Sequence, residues 1–253
     1  MIVFRYDKTF DGLLTAVFDA YSRKEFPERL LSEAEPLPLF ARQEHRVITG
    51  TDKSARVWKA LCKKTSKEVG SMLMHVWLSE LQGSDELLFR YIRKTFDAPH
   101  SIATDFADDD VIEVDKIARK VSRERLYLIQ FVRFQKAADD IFFAPVSPVY
   151  NALPLTLPYF TDRFATQKWL IYDIKRRYGY YYDLKTAEEV TLDDDKHLLS
   201  GQLDEELMAQ DEKLFQEMWK SYFRALTIKE RLNPRLHRQH LPRRFWKFLP
   251  EKR

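Results

Sequence analysis

Glycine is scarce in this chain, and its spacing limits the folds and sites that the chain can form. The 253 residues include only six glycines, at positions 12, 50, 70, 83, 179 and 201, and no two are closer than thirteen positions. Glycine-rich phosphate loops, Rossmann turns and the nucleophile elbow of hydrolases each need paired glycines within a few residues. The sequence therefore disfavours nucleotide hydrolysis and nicotinamide chemistry, and we expect no bound cofactor.

Hydrophobic periodicity predicts an α+β fold. A strand over residues 2–6, a helix over 11–23, capped by Asp11, and an irregular connection marked by Pro27, Pro36 and Pro38 precede four amphipathic helices between residues 52 and 121. β-branched and aromatic runs then predict two antiparallel hairpins, 126–135 with 141–146 and 169–174 with 180–184, around a helix at 155–164, with an edge strand at 186–191. A long helix over 204–226 and a helical, basic C-terminal segment follow.

Because no Pro/Gly/Ser-rich linker divides the chain, we predict one domain over residues 1–253. Limited proteolysis should then cut first within 26–40 or 193–201.

Cysteine content and hydropathy restrict the compartment and the redox chemistry. The one cysteine, Cys62, excludes an internal disulfide and any multi-cysteine metal or iron–sulfur site. No apolar run approaches the roughly 20 residues needed to cross a bilayer, and the start of the chain does not resemble a secretory signal. We therefore expect a cytoplasmic protein that does not bind membranes.

Charge is distributed unevenly along the chain. Residues 223–253, called here the basic C-terminal segment, contain ten Lys/Arg and two acids, a net charge of +8. The whole chain carries +3, so residues 1–222 carry −5. Clustered cations release counterions when they neutralise phosphates, which makes nucleic acid the expected partner.

Six cations in this segment are the predicted nucleic-acid-binding residues. Arg231, Arg235 and Arg238 have the i, i+4, i+7 spacing of one helix face, and Asn233 followed by Pro234 is typical of a helix start. Arg243, Arg244 and Lys247 follow, interleaved with aromatic residues that could stack on bases.

An intramolecular alternative competes with nucleic-acid contact. Phe245, Trp246 and Phe248 are better explained by docking of the segment onto the rest of the protein than by base stacking. The arginines would then pair with acids at 108–110 or 193–195. The sequence favours neither this internal ion pairing nor contact with phosphates over the other. His237 and His240 stand three apart with no carboxylate nearby, so we predict no metal site.

The C-terminal sequence also resembles a known family. The string Ile228-Lys-Glu-Arg-Leu-Asn-Pro-Arg-Leu-His-Arg-Gln-His-Leu-Pro-Arg-Arg-Phe-Trp-Lys247 is similar to the end of a bacterial family of unknown function labelled "probable DNA metabolism protein". Residues 10–21 and 133–164 agree with it. The resemblance implies a role in DNA repair or modification beside a radical-SAM protein, whose gene is a common neighbour. Some relatives are fused to a uracil-DNA-glycosylase-like domain, which we expect this chain to lack.

Three functional hypotheses follow. The first is an accessory DNA-metabolism protein that binds nucleic acid and a partner enzyme and has no catalytic activity of its own. The second is an enzyme acting on DNA bases or ends. Its candidate carboxylates lie beside aromatic residues and are Asp7, Asp11, Asp162 and Asp173. Helix capping or ion pairing explains these four more simply, so no catalytic residue is assigned. The third is a structural interaction protein without nucleic-acid contact.

Overall fold

The structure is a computed structural model that describes residues 1–192 and 207–252. The chain divides into two compact units, Met1–Ser122 and Arg123–Arg253, which are described separately. The predicted single domain stays a prediction. Within the described ranges, no helix combines the length and apolar character needed to span a bilayer.

Unit 1 combines a small parallel sheet with helices. Its elements are β1 (Ile2–Tyr6), α1 (Phe10–Arg23), β2 (Arg29–Ser32), β3 (Gln43–Arg46), α2 (Thr51–Lys64), α3 (Lys67–Trp77), α4 (Ser84–Asp97) and the first part of α5 (Asp109–Phe131). The strand order is β2-β1-β3, with both pairs parallel. β1 matches the predicted strand, whereas β2 lies in a proline-flanked stretch for which the sequence indicated only an irregular connection.

The core of unit 1 collects the apolar faces of β1 and the helices. Phe4, Leu13, Leu61, Leu73 and Leu88 are all fully buried in one cluster, as the helical spacing of the apolar residues predicted. The cap of α1 differs from expectation. Thr9, not Asp11, is the N-cap and accepts a hydrogen bond from the Gly12 amide, while Asp11 lies in the first turn, where a negative charge suits the helix dipole.

Helix α5 contains the main error of the sequence-based prediction. It continues to Phe131, so most of the stretch 126–135 is helical, and only Gln135–Lys136 forms the short strand β4. A short apolar run cannot be assigned to helix or strand by periodicity alone. Leu128 is almost fully buried one turn after the buried Glu124, so the helical register, rather than strand alternation, places the side chains in the interior.

Unit 2 contains a five-stranded, mostly antiparallel sheet. After β4 come β5 (Phe142–Val146), a 3₁₀ turn (Pro154–Thr156), α6 (Leu157–Arg163), β6 (Trp169–Asp173), β7 (Tyr178–Tyr182), β8 (Ala187–Val190), α7 (Glu212–Leu226) and α8 (Pro234–His240). Strand order follows the chain from β4 to β8, and only β5 with β6 is parallel. The hairpin β6–β7 and the edge strand β8 were predicted. The predicted α+β class is confirmed, because the chain forms helices first, then a mainly antiparallel sheet, and then a helical end.

Strand β7 carries a glycine that the sheet requires. A Cβ on Gly179 would lie 2.4 Å from the carbonyl oxygen of Ile171 and 2.9 Å from Cα of Tyr172, on the paired strand β6. Two polypeptide backbones therefore approach here more closely than a side chain permits.

Helix α7 begins later than predicted, and several of its large apolar side chains are exposed. The predicted helix began near residue 204; residues 204–206 lie outside the described part, and α7 begins at Glu212. Leu214, Phe215, Met218 and Tyr222 are each more than half exposed.

Candidate nucleic-acid interface

The basic C-terminal segment is built from short helical pieces. A 3₁₀ turn (Lys229–Arg231), α8, a second 3₁₀ stretch (Arg243–Phe248) and a last turn (Pro250–Lys252) follow α7. The predicted helix start is confirmed, because Asn233 is the N-cap of α8, its side-chain oxygen accepts from the Leu236 amide at 3.0 Å, and Pro234 occupies the first turn.

Aromatic side chains attach this segment to the rest of unit 2, of which it is a part. The ring of Phe245 contacts those of Tyr127 and Phe131, with centroids 5.7 and 5.5 Å apart. Phe248 belongs to a buried cluster with Phe143 and Tyr172. The predicted docking role is confirmed for Phe245 and Phe248, which are 4% and 5% exposed.

Two ion pairs add to this attachment. Arg244 Nη2 lies 2.5 Å from Oε2 of Glu124, whose side chain is only 3% exposed. Near the end of the chain, Glu251 accepts hydrogen bonds from Arg133 Nη2 at 3.0 Å and from the indole of Trp219 at 2.9 Å. Arg244 thus has an intramolecular partner, as the competing interpretation of the arginines proposed.

Most of the lining of a cleft comes from the first part of the segment. The cleft has a volume of about 530 Å³ and is lined by Arg231, Leu232, Asn233, Pro234, Leu236, His237, Arg238, His240, Trp246 and Lys252. Three cations therefore share one concave surface with a tryptophan and aliphatic side chains. Within the described ranges, none of Arg231, Arg238 and Lys252 is ion-paired with a carboxylate.

Trp246 and His237 form the polar–aromatic part of the cleft. Their rings are edge to face with centroids 6.0 Å apart, and the Trp246 indole donates to the Leu241 carbonyl at 3.1 Å. Burial, and then the charge of Lys252, lower the pKa of His237, which favours the neutral form of this imidazole. Its Nε2 is shielded from solvent and has no hydrogen-bond partner among the described residues.

The six predicted binding residues separate into distinct environments. Arg231 and Arg238 line the cleft, whereas Arg235 is exposed on α8 outside it. Arg243 is exposed with its guanidinium 5.7 Å from the Trp246 ring, and Lys247 has its ammonium 4.8 Å from the Phe248 ring. Arg244 forms the ion pair with Glu124. Whether any of them contacts nucleic acid stays a prediction.

Sequence reasoning missed Lys252 and Asn233 as cleft residues. Lys252 follows Pro250 and Glu251, at a distance from the arginine pattern that the spacing argument used. Its ammonium lies 5.7 Å from the centroid of Trp246, a contact that brings it to the cleft. Asn233 was recognised as a helix cap only. The net charge of the segment was the available signal for Lys252.

Of the acids at 108–110 proposed as partners of the arginines, Asp108 and Asp110 are bound by other cations and Asp109 is exposed. Asp108 and Asp110 bind Lys94 at 2.6 and 2.7 Å, and Asp110 also binds Arg90 at 2.8 Å. Asp108 in addition accepts from the amide of Asp110 at the start of α5. The other stretch, residues 193–195, lies outside the described residues.

The four carboxylates considered for catalysis divide into bonded and surface groups. Asp7 accepts from Thr9 and Thr49, and Asp11 and Asp162 are exposed. Asp173 is fully buried; burial raises its pKa, opposed by Arg176 Nη1 at 2.8 Å and by the amides of Lys175 and Arg176. Among the described residues, none of the buried side-chain atoms without a hydrogen bond is a carboxylate oxygen.

Metal binding has no support in the described part of the chain. No group of three or more His, Cys, Asp or Glu side chains there is placed to hold an ion. His237 and His240 line the basic cleft without an accompanying carboxylate.

Comparison with known proteins assigns the chain to a family. A family model described as a domain of unknown function, DUF4130, matches residues 82–251, and the chain belongs to this family. No curated protein matches the chain. Among solved structures, a pGpG-specific phosphodiesterase, PggH, from Vibrio cholerae aligns over 88% of this chain and 98% of that one, at 12% identity and a TM-score of 0.28. A similarity that low carries no argument about fold or activity.

Proposed function

We propose that this protein is an accessory DNA-metabolism protein that binds nucleic acid through its basic C-terminal segment. The observation that carries the proposal is the cleft, in which Arg231, Arg238 and Lys252 converge without a carboxylate partner in the described part. Arginine binds phosphate oxygens bidentately, and a concave cluster of cations raises the local concentration of polyanions.

The attachments of the segment support the same function. Four side chains attach the segment to the rest of unit 2, namely Phe245, Phe248, Arg244 and Glu251. The cations of the cleft are therefore presented on an ordered surface. A preorganised site loses less conformational entropy on binding than a mobile tail does. Arg235 and Arg243 extend the cationic surface beyond the cleft.

A salt titration tests the proposal. Changing both Arg238 and Arg243 to Ala should weaken binding to DNA of any sequence, because each lost phosphate contact removes one counterion-release contribution. The slope of log affinity against log salt should fall by roughly two, about one unit per contact. Fluorescence anisotropy with labelled single-stranded and duplex DNA, between low and physiological salt, measures both quantities.

The matched control removes the same charge elsewhere. Arg46 and Arg119 are exposed and ion-paired with Glu33 and Asp115, so Arg46→Ala with Arg119→Ala changes net charge equally without touching the segment. This control should keep the wild-type salt slope. Equal affinities for the two double variants, or no nucleic-acid binding by the wild type, would refute the proposal and leave a structural interaction protein.

The partner enzyme is a separate part of the proposal. It rests on the family resemblance, which points to a radical-SAM protein as the partner. Co-purification of the two proteins after co-expression, followed by gel filtration at micromolar concentration, tests it.

A further inference from the structure

We infer that the cleft binds one unpaired nucleotide of a single strand, with its phosphate against the cations and its base against the apolar wall. The inference rests on the proposed function and specifies the form of nucleic acid that the site takes. A site of this kind would bind single-stranded DNA, or a base that has left its stack, more tightly than an intact duplex.

The lining of the cleft has the two components that such a ligand requires. Arg231, Arg238 and Lys252 can neutralise phosphate oxygens. Leu232 and Leu236, respectively 62% and 49% exposed, leave apolar surface uncovered beside them. A site for a bare phosphate needs no such surface, whereas a nucleotide has a base that would cover it.

Trp246 supplies the aromatic surface. It lines the cleft together with Leu232 and Leu236, and the guanidinium of Arg243 and the ammonium of Lys252 each lie 5.7 Å from its ring centroid. Combining a cationic groove with an aromatic platform is typical of proteins that bind single strands, because every base has a face that can stack.

The ring of His237 lines the same cleft, with its centroid 6.0 Å from that of Trp246. Its Nε2 is closed off from solvent, so the imidazole contributes ring surface to the cleft rather than a hydrogen bond to a ligand.

Size and shape favour one nucleotide over a duplex. A volume of about 530 Å³ is that of a small-molecule pocket. In a duplex the bases are stacked and paired, so only phosphates would reach the cations and the apolar wall would stay empty. A base must leave its stack to use the whole cleft.

The test compares ligands that have the same phosphates but differ in their bases. A thymidine hexanucleotide, an abasic deoxyribose-phosphate chain of the same length and a duplex are titrated against the full protein at one salt concentration. We expect the abasic chain to bind about 5- to 150-fold more weakly than the hexanucleotide, the range that corresponds to one stacked base. Trp246→Ala should weaken hexanucleotide binding by a similar factor and leave abasic and duplex binding unchanged.

Two further variants control for indirect effects. Trp246→Ala also removes the hydrogen bond to Leu241, so Leu232→Ser serves as a second change in the apolar wall at an exposed position, with the same expected direction. Phe106→Ala removes an aromatic ring that is 61% exposed in unit 1 and should leave binding to every ligand unchanged.

Different results refute the inference and the proposed function. Equal binding of hexanucleotide and abasic chain, with Trp246→Ala and Leu232→Ser both silent, would overturn the nucleotide site while the salt response of Arg238 and Arg243 could still establish phosphate binding. Absence of binding to all three ligands would overturn both.

Discussion

Two arginines of the same segment have opposite environments. Arg244 pairs with Glu124, which is buried on α5 and also accepts a hydrogen bond from the Val149 amide. Arg238 lines the cleft and has no carboxylate partner in the described part. Their sequence contexts did not separate them, because the partner of Arg244 is 120 positions away. The sequence therefore predicted the cations of the site but not which of them is used internally.

Replacing Arg244 should affect stability more than binding. Arg244→Ala removes the ion-pair partner of the buried Glu124 carboxylate, which should lower the free energy of unfolding by about 1–3 kcal/mol. Thermal denaturation followed by circular dichroism should show a melting temperature lower by several degrees. The Arg235→Ala variant, changed at an exposed position on α8, should have the same melting temperature as the wild type. A stable Arg244→Ala protein with reduced DNA affinity would instead place Arg244 in the interface.

At the scale of elements, strong local signals were predictable and ambiguous ones were not. The start of α8 was predicted because Asn233 and Pro234 each fix a local conformation. The run 126–135 was misassigned because its apolar residues satisfy both helical and strand spacing, and burial in the folded unit decides between them. The cleft was not predictable, because it depends on how α8, Trp246 and Lys252 come together.

Strand β7 offers a test of the sheet itself. Gly179→Ala would place a methyl group 2.4 Å from a backbone oxygen of β6, a distance that requires the strands to separate. We expect a loss of roughly 2 kcal/mol or more, comparable to other substitutions that overpack an interior. Gly70→Ala, in α3, meets nothing closer than 3.5 Å and should be neutral or stabilising, since Ala favours helix. Urea denaturation of both variants measures the difference, and equal stabilities would contradict the close approach of β6 and β7.

At the scale of the whole molecule, the division into units and the extent of the family do not coincide. The boundary between the units falls after Ser122, inside the continuous helix α5. The family model begins at residue 82, within unit 1. Composition could not predict this division, because a boundary inside a helix has no linker residues.

Limited proteolysis tests the predicted single domain. Residues 37–42 should be cut first, because Leu39 and Phe40 are 96% and 84% exposed and lie between β2 and β3 without being part of either. The sequence predicted early cleavage within 26–40 and within 193–201; the latter stretch lies outside the described residues. Mass spectrometry of a chymotrypsin time course identifies the sites. Early release of two stable fragments cut near residue 125 would contradict a single domain.

The hydrogen bonds of Glu251 have a practical consequence for protein engineering. This carboxylate joins Arg133, just beyond α5, to Trp219 on α7, and its side chain is only 4% exposed. Trimming even the last three residues would therefore leave Arg133 and Trp219 without this buried carboxylate and remove Lys252 from the cleft. Shortened versions prepared for crystallisation should keep this end intact, and an affinity tag is better placed at the other terminus.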